Sequence, residues 1–358
     1  MEVDKTKVKN KNQEKGAKTE EYLAEYFRMN GYFVVRGVEV VYNNNKVTDI
    51  DLWLYLKSSN MSQEITIVDI KNRKSPQAFE RFLWVKGLQV AVNADKAIIA
   101  TTESNPEILR YGDSINVKVL DGNFLKKVPN SVDLKDRISE EELESMIKNT
   151  TFGKLDGDWK GRLDLCKSLF ANGITFDTLN VWIENASYFA IQVISRPQSK
   201  EVALRVFYKL LSYICIGIDS LSKELIYEDK PTRYNQFLRG FQFGDKDYKQ
   251  MRNDISMAIS VVKRFSNNTD LVESNIIQNF LKAIESLNCR VLAEYFSNLN
   301  NIAELIEIAF EFDKLAMGST TPTTYESSTK SKKIIGCFLD FWEISRSDYE
   351  LVKKTSSQ

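Results

Sequence analysis

The sequence predicts two domains of different class. The N-terminal third reads as an α/β domain with a central mixed sheet flanked by helices, and an all-α domain follows it. Three observations predict this. The chain has 358 residues, about twice the usual single-domain size. Strand-like and helix-like stretches alternate up to about residue 120, in the order αβββαβ(α)β. From about residue 156 to 317 apolar residues recur at helical spacing instead, as in Leu204, Tyr208, Leu211 and Cys215.

Residues 1–15 alternate lysine with polar residues and lack an apolar period, so a disordered basic arm is expected there. Residues 17–30 read as a helix and 32–42 as an apolar run, after which Asn43-Asn44-Asn45 signals a turn. Two strand-like stretches, 51–57 and 64–71, are joined by the polar Ser58-Ser59-Asn60. Pro76 suits the first turn of a helix running to about Asn93. Then come a β-branched strand at 96–101, a helix at 106–111 and a strand at 115–120. After Pro129 the composition shifts. Residues 130–155 are expected to form a linker in which Ser139 and Glu142, at capping-box spacing, open a short helix through Ile147. Residues 156–358 make the helical domain, with 318–333, rich in Ser, Thr and Lys, as a mobile loop. The apolar segment 334–344 must dock on something, and no internal repeat is found.

The chain contains no histidine, which excludes Ser-His-Asp and Cys-His catalysis, zinc fingers and nucleases with a histidine base. P-loop and G-x-G-x-x-G fingerprints are absent too. Catalysis must therefore rest on carboxylates, lysine, hydroxyls or thiols, best served by a hard cation. Basic and acidic residues balance at 49 each, so no strong field announces a partner. No apolar run approaches the ~20 residues that span a bilayer, and the lysine-rich start lacks a signal-peptide core. Cys166, Cys215, Cys289 and Cys337 lie far apart, as expected of reduced thiols in a cytoplasmic protein.

Strand alternation puts Asp49 and Asp51 on one face and Ile50, Leu52 and Leu54 on the other. Likewise Asp69 and Lys71 share a face opposite Val68 and Ile70. Two neighbouring strands thus each bring an acid into apolar surroundings, where an uncompensated charge is costly. A divalent cation held by Asp51 and Asp69 would compensate them, with Lys71 close enough to act on a bound water or phosphate. On the preceding helix Glu20 lies among Leu23, Ala24 and Phe27 and is aimed at the sheet, whereas Glu21 and Glu25 fall on a flank expected to meet solvent.

Gly16-x-x-x-Glu20 opening a helix, then Asp51, then Asp69-x-Lys71 closing a strand, resembles the PD-(D/E)XK nuclease superfamily, most of all Mrr-like restriction endonucleases and Holliday-junction-resolvase-like proteins. The stretch from Asn93 to Thr102 is similar to the strand after the active-site helix of Mrr-like domains. Residues 115–120 with Asp121-Gly122 resemble their closing strand and turn. The resemblance covers residues 16–128. Ile50 stands where proline is common, and Asp69 where glutamate or glutamine is more usual. Asp49 competes with Asp51 for the first acid, and Asp51 is preferred because it begins the unbroken strand.

The resemblance implies a restriction-endonuclease-like fold over 16–129 and hydrolysis of DNA phosphodiester bonds with Mg²⁺ or Mn²⁺. Asp51 and Asp69 would bind the metal, Glu20 would complete or support its shell, and Lys71 would orient the attacking water or offset the developing charge. Arg73 and Lys74 could grip phosphates, and so could Lys86 and Gln89, which with Asn93 form a polar stripe on the next helix. Restriction or anti-phage defence is the expected setting. The alternatives are an inactive nuclease-fold scaffold that binds DNA, and a junction resolvase or transposon-end nuclease. A double-strand break needs two active sites or two visits, so a homodimer or partner interface is expected in the helical domain.

Overall fold

A computed structural model describes residues 2–59, 61–71, 78–246, 248–265, 273–324 and 327–350. It divides into two compact units, one comprising 1–173 with 317–321 and the other 174–316 with 322–358.

The first unit is built on one five-stranded sheet in the order β1-β2-β3-β4-β5. Helix α1 (Glu2–Met29) leads into β1 (Phe33–Tyr42), which pairs antiparallel with β2 (Asn45–Ser59). The turn between them is made by Asn43 and Asn44, both at positive φ, a conformation asparagine tolerates and tight hairpins require. β2 pairs antiparallel with β3 (Ser62–Lys71). Helix α2 (Ala78–Ala91) then carries the chain to β4 (Lys96–Thr101), which lies parallel to β3. Helix α3 (Pro106–Ser114), capped by Asn105, does the same for β5 (Lys118–Leu120).

Both faces of the sheet are covered, which explains why β2 is apolar on both sides. Leu23, Ala24 and Phe27 of α1 pack on Val34, Leu52, Leu54, Val68 and Ile70. Trp53 and Tyr55 face the other way and are equally buried, Trp53 lying 4.5 Å from the Phe170 ring. After α4 (Gly122–Lys127), α5 (Glu140–Thr150) starts with the expected capping box: the Ser139 hydroxyl accepts from Glu142 N–H at 3.1 Å, and the Glu142 carboxylate accepts from Ser139 N–H at 2.6 Å. α6 (Trp159–Ser168) also packs on β1.

Three expectations about organisation are corrected. Residues 2–15 are helical and continuous with the rest of α1 rather than a disordered arm; the stretch has no proline or glycine, and five of its residues are lysine, a good helix former. The division between units falls at Gly173, not near 155, because Trp159, Leu163, Cys166 and Phe170 are buried within the first unit. The segment 318–333, expected as a mobile loop, is not loop throughout: from Thr329 it is helix, and hydrogen bonds hold both of its ends. Ile138 N–H donates to the Met317 carbonyl at 2.7 Å and Ser319 N–H to that of Asp136 at 3.0 Å. At the other end Ser328 caps the helix Thr329–Phe341, and Glu311 of the helix Leu305–Met317 accepts from the hydroxyls of Ser328 and Ser331 at 2.6 and 2.7 Å.

The second unit is helical, with α7 (Phe176–Ser195) packed on α8 (Lys200–Leu225). α8 is buried nearly all round from Val202 to Asp219, as a helix apolar on every face must be. Its buried charges are paired or bonded: Lys209 lies 3.4 Å from Asp313, and Arg205 donates to the Ala316 carbonyl at 2.9 Å. The helix Thr329–Phe341 buries Ile334 and Phe338, which is the docking that the apolar segment 334–344 requires. The four cysteines are buried and form no disulfide. No helix among the described residues is long and apolar enough to cross a membrane.

Candidate active site

The register of β2 on β3 ends where Leu52 pairs with Val68, Asp51 and Asp69 are the next residue on each strand, and the Asp69 charge acts on Asp51. The two acids singled out by alternation are therefore cross-strand neighbours. One Asp51 oxygen accepts from the Ile70 N–H at 2.5 Å. Burial is the main reason its carboxyl is pushed up to about 7; the Ile70 N–H and Lys71 oppose the rise, while Asp69 and Glu20 reinforce it. Asp49 is no rival, being exposed and paired with Lys46 at 2.7 Å.

Asp69 is 4 % exposed and has three cationic contacts from two side chains. The Lys71 ammonium lies 3.4 Å from its Oδ1. Arg81, one turn into α2, takes both oxygens: its Nε donates to Oδ2 at 3.1 Å and its Nη2 to Oδ1. The Arg81 guanidinium also sits 3.9 Å from the centre of the Trp84 ring, the i,i+3 neighbour on the same helix. Sequence reasoning missed both residues. The signal available was an arginine followed three residues later by tryptophan, at the start of the helix after Asp69-x-Lys71.

Glu20 is directed toward the sheet, as expected, but it meets Arg36 rather than the two aspartates. Arg36 is the β1 partner of Leu52, hence on the α1 face, and it is almost fully buried. Its guanidinium binds Glu20 and Glu141, each at 3.1 Å, together with Glu21. Glu21, placed on a solvent flank by the helical wheel, is consequently buried. A charge in such a position is tolerable only with this many partners. Among the described residues no group of three or more His, Cys, Asp or Glu side chains could hold one ion, so Glu20 does not complete a three-carboxylate shell.

No family model, curated protein or solved structure matches the chain.

Of the predicted phosphate-binding residues, Lys86 and Gln89 are engaged with one another and with the turn into β4. Lys86 donates to Gln89 at 3.0 Å, and the Gln89 amide holds the turn into β4 by donating to the carbonyls of Ala94 and Asp95 at 3.2 and 2.9 Å. Gln89 is two helical turns from Arg81, roughly 12 Å along α2. Arg73 and Lys74, and Pro76 at the expected helix start, lie outside the described residues.

Proposed function

We propose that the sheet-containing unit is a metal-dependent endodeoxyribonuclease of PD-(D/E)XK type that hydrolyses DNA phosphodiester bonds, in restriction or another anti-phage defence. The observation that carries this is the juxtaposition of Asp51 and Asp69 across β2 and β3, with the Lys71 ammonium 3.4 Å from Asp69. The order αβββαβ, with β1 to β3 antiparallel and β4 parallel to β3, supports the same reading. Mg²⁺ asks little of a protein: one or two carboxylates, the remaining positions being filled by water and substrate phosphate. Asp51 and Asp69 fit that demand and would hold the ion. Once bound, it would supply a Lewis acid and a more acidic water, which meets the need left by the absence of histidine. Lys71, fixed beside Asp69, would orient the attacking water or offset charge on the phosphate. The helical unit would provide a homodimer or partner interface, so that two such sites reach one duplex.

A second reading has its own observation. Arg81 and Arg36 already neutralise Asp69 and Glu20, an arrangement that also suits a nuclease fold kept only for DNA binding or scaffolding. Incubating the full chain with plasmid and linear DNA in Mg²⁺, Mn²⁺ or EDTA separates the two. Cleavage that EDTA stops, and that Asp51→Ala, Asp69→Ala or Lys71→Ala each reduce by at least ~100-fold in an otherwise folded protein, is the expected result. DNA retention without any cleavage would favour the scaffold. Branched or transposon-end substrates cut in preference to linear duplex would make it a resolvase-like enzyme instead.

A further inference from the structure

We infer that Arg81 is a displaceable counter-ion, one that occupies Asp69 in the cation-free chain and must leave before a divalent cation can bind. The inference rests on the nuclease reading, since it concerns the same two carboxylates. Charge is the first reason. Asp51 and Asp69 carry at most two negative charges, and Arg81 and Lys71 already bring two positive ones to Asp69. A divalent ion added to that set meets a cluster with no net charge left to attract it. If Arg81 withdraws, the deficit returns.

Geometry is the second reason. Both Asp69 oxygens are engaged by the planar fork of one guanidinium, so no oxygen is left without a donor while Arg81 is in place. The two partners are unequally fixed. Asp69 is locked in the sheet, whereas the Arg81 side chain is a quarter exposed and lies at the start of a helix. Arg81 also has a second resting place. The Trp84 ring holds its guanidinium at 3.9 Å, so on leaving Asp69 it need not be lost to solvent. A guanidinium kept at that rim, with its donors freed, is suited to a phosphate oxygen of DNA. Arg81 is in this sense a positioning residue that makes cation entry and phosphate entry favour each other.

The test is Mn²⁺ binding to the full chain, read from the electron paramagnetic resonance signal of free Mn²⁺ and independent of cleavage. Arg81→Gln should bind Mn²⁺ about tenfold tighter than the unaltered protein. Arg81→Lys, which keeps a charge but not the fork, should fall between them, and Asp69→Asn should bind weakest. Equal affinity in the unaltered protein and Arg81→Gln, with Asp69→Asn still weakened, would overturn the inference and leave the nuclease reading standing. Weaker binding in Arg81→Gln would overturn it too, because Arg81 would then be building the site. Absence of saturable binding in every protein would sink both. Should Arg81→Gln lose its cooperative melt, Arg81→Lys decides alone: tighter binding than the unaltered protein supports the inference and equal binding ends it.

Discussion

Asp51 is an acid whose charge is poorly provided for. Unlike Asp69 it has no arginine, and the chief cause of its raised pKa is burial. The carboxyl that ordinarily loses its proton near 3.8 keeps it to about 7 in the folded chain. Between those values the unfolded chain has released a proton that the folded chain retains, so stability is greatest below about 4 and falls as pH rises toward 7. At ~1.4 kcal/mol per unit the loss is on the order of 4 kcal/mol at most, less for the side chain's partial exposure. Asp51→Asn should therefore melt above the unaltered protein at pH 8, with the gap closing at pH 4. Thermal denaturation at both values checks this; an equal gap at the two would exclude ionisation as its cause. Asp51, Asp69 and Lys71 were readable because a strand has a period of two and their neighbours are strongly apolar. Glu21 and Arg81 were not. A helical wheel sees only its own helix, while the tightest partner of Glu21 comes from β1 and that of Arg81 from β3.

At the scale of elements, all five strands and the helices between them can be read from the sequence, but their limits less well. β2 begins at Asn45 rather than 51, because its first residues are polar and exposed and are held only by pairing with β1. Apolar patterning marks where a strand is buried, not where it starts. The glycines make a sharper contrast. Gly112 lies in α3 where it crosses the strand it feeds; a Cβ there would stand 2.7 Å from the Val117 carbonyl oxygen and 2.7 Å from a Val119 methyl. Gly87 in α2 has nothing within 4 Å of the same position. Alanine favours a helix over glycine by about 1 kcal/mol at either site. Gly87→Ala should thus raise stability by up to ~1 kcal/mol, while Gly112→Ala should lower it by about 1–3 kcal/mol through overpacking. Urea denaturation of the two variants measures both, and a stabilised Gly112→Ala would mean α3 can shift away from β5.

For the molecule as a whole, the sequence distinguishes an α/β part from a helical part but misplaces their boundary. Helical periodicity reports that a helix has an apolar face, not which core receives it, and α6 belongs with the sheet. Arg36 is bound by Glu141, Lys167 lies 3.6 Å from Glu140, and Phe170 rests on Trp53. A fragment ending at 130 would leave Trp53 uncovered and Arg36 short of a partner, so it should aggregate or melt without a cooperative transition. A fragment of 1–173 should fold. Circular dichroism melts of the two provide the check, and a cooperative 1–130 fragment would show that α5 and α6 are dispensable. Burial raises the thiols of Cys289 and Cys337 to about 11 and 12, and that of Cys215 further still, so almost none is ionised at neutral pH. An alkylating reagent must wait for the surrounding structure to open. Cys166 lies in the sheet-containing unit and the other three in the helical one. The native sequence thus carries a separate chemical clock in each unit, and the order in which the cysteines become labelled reports which unit breathes first.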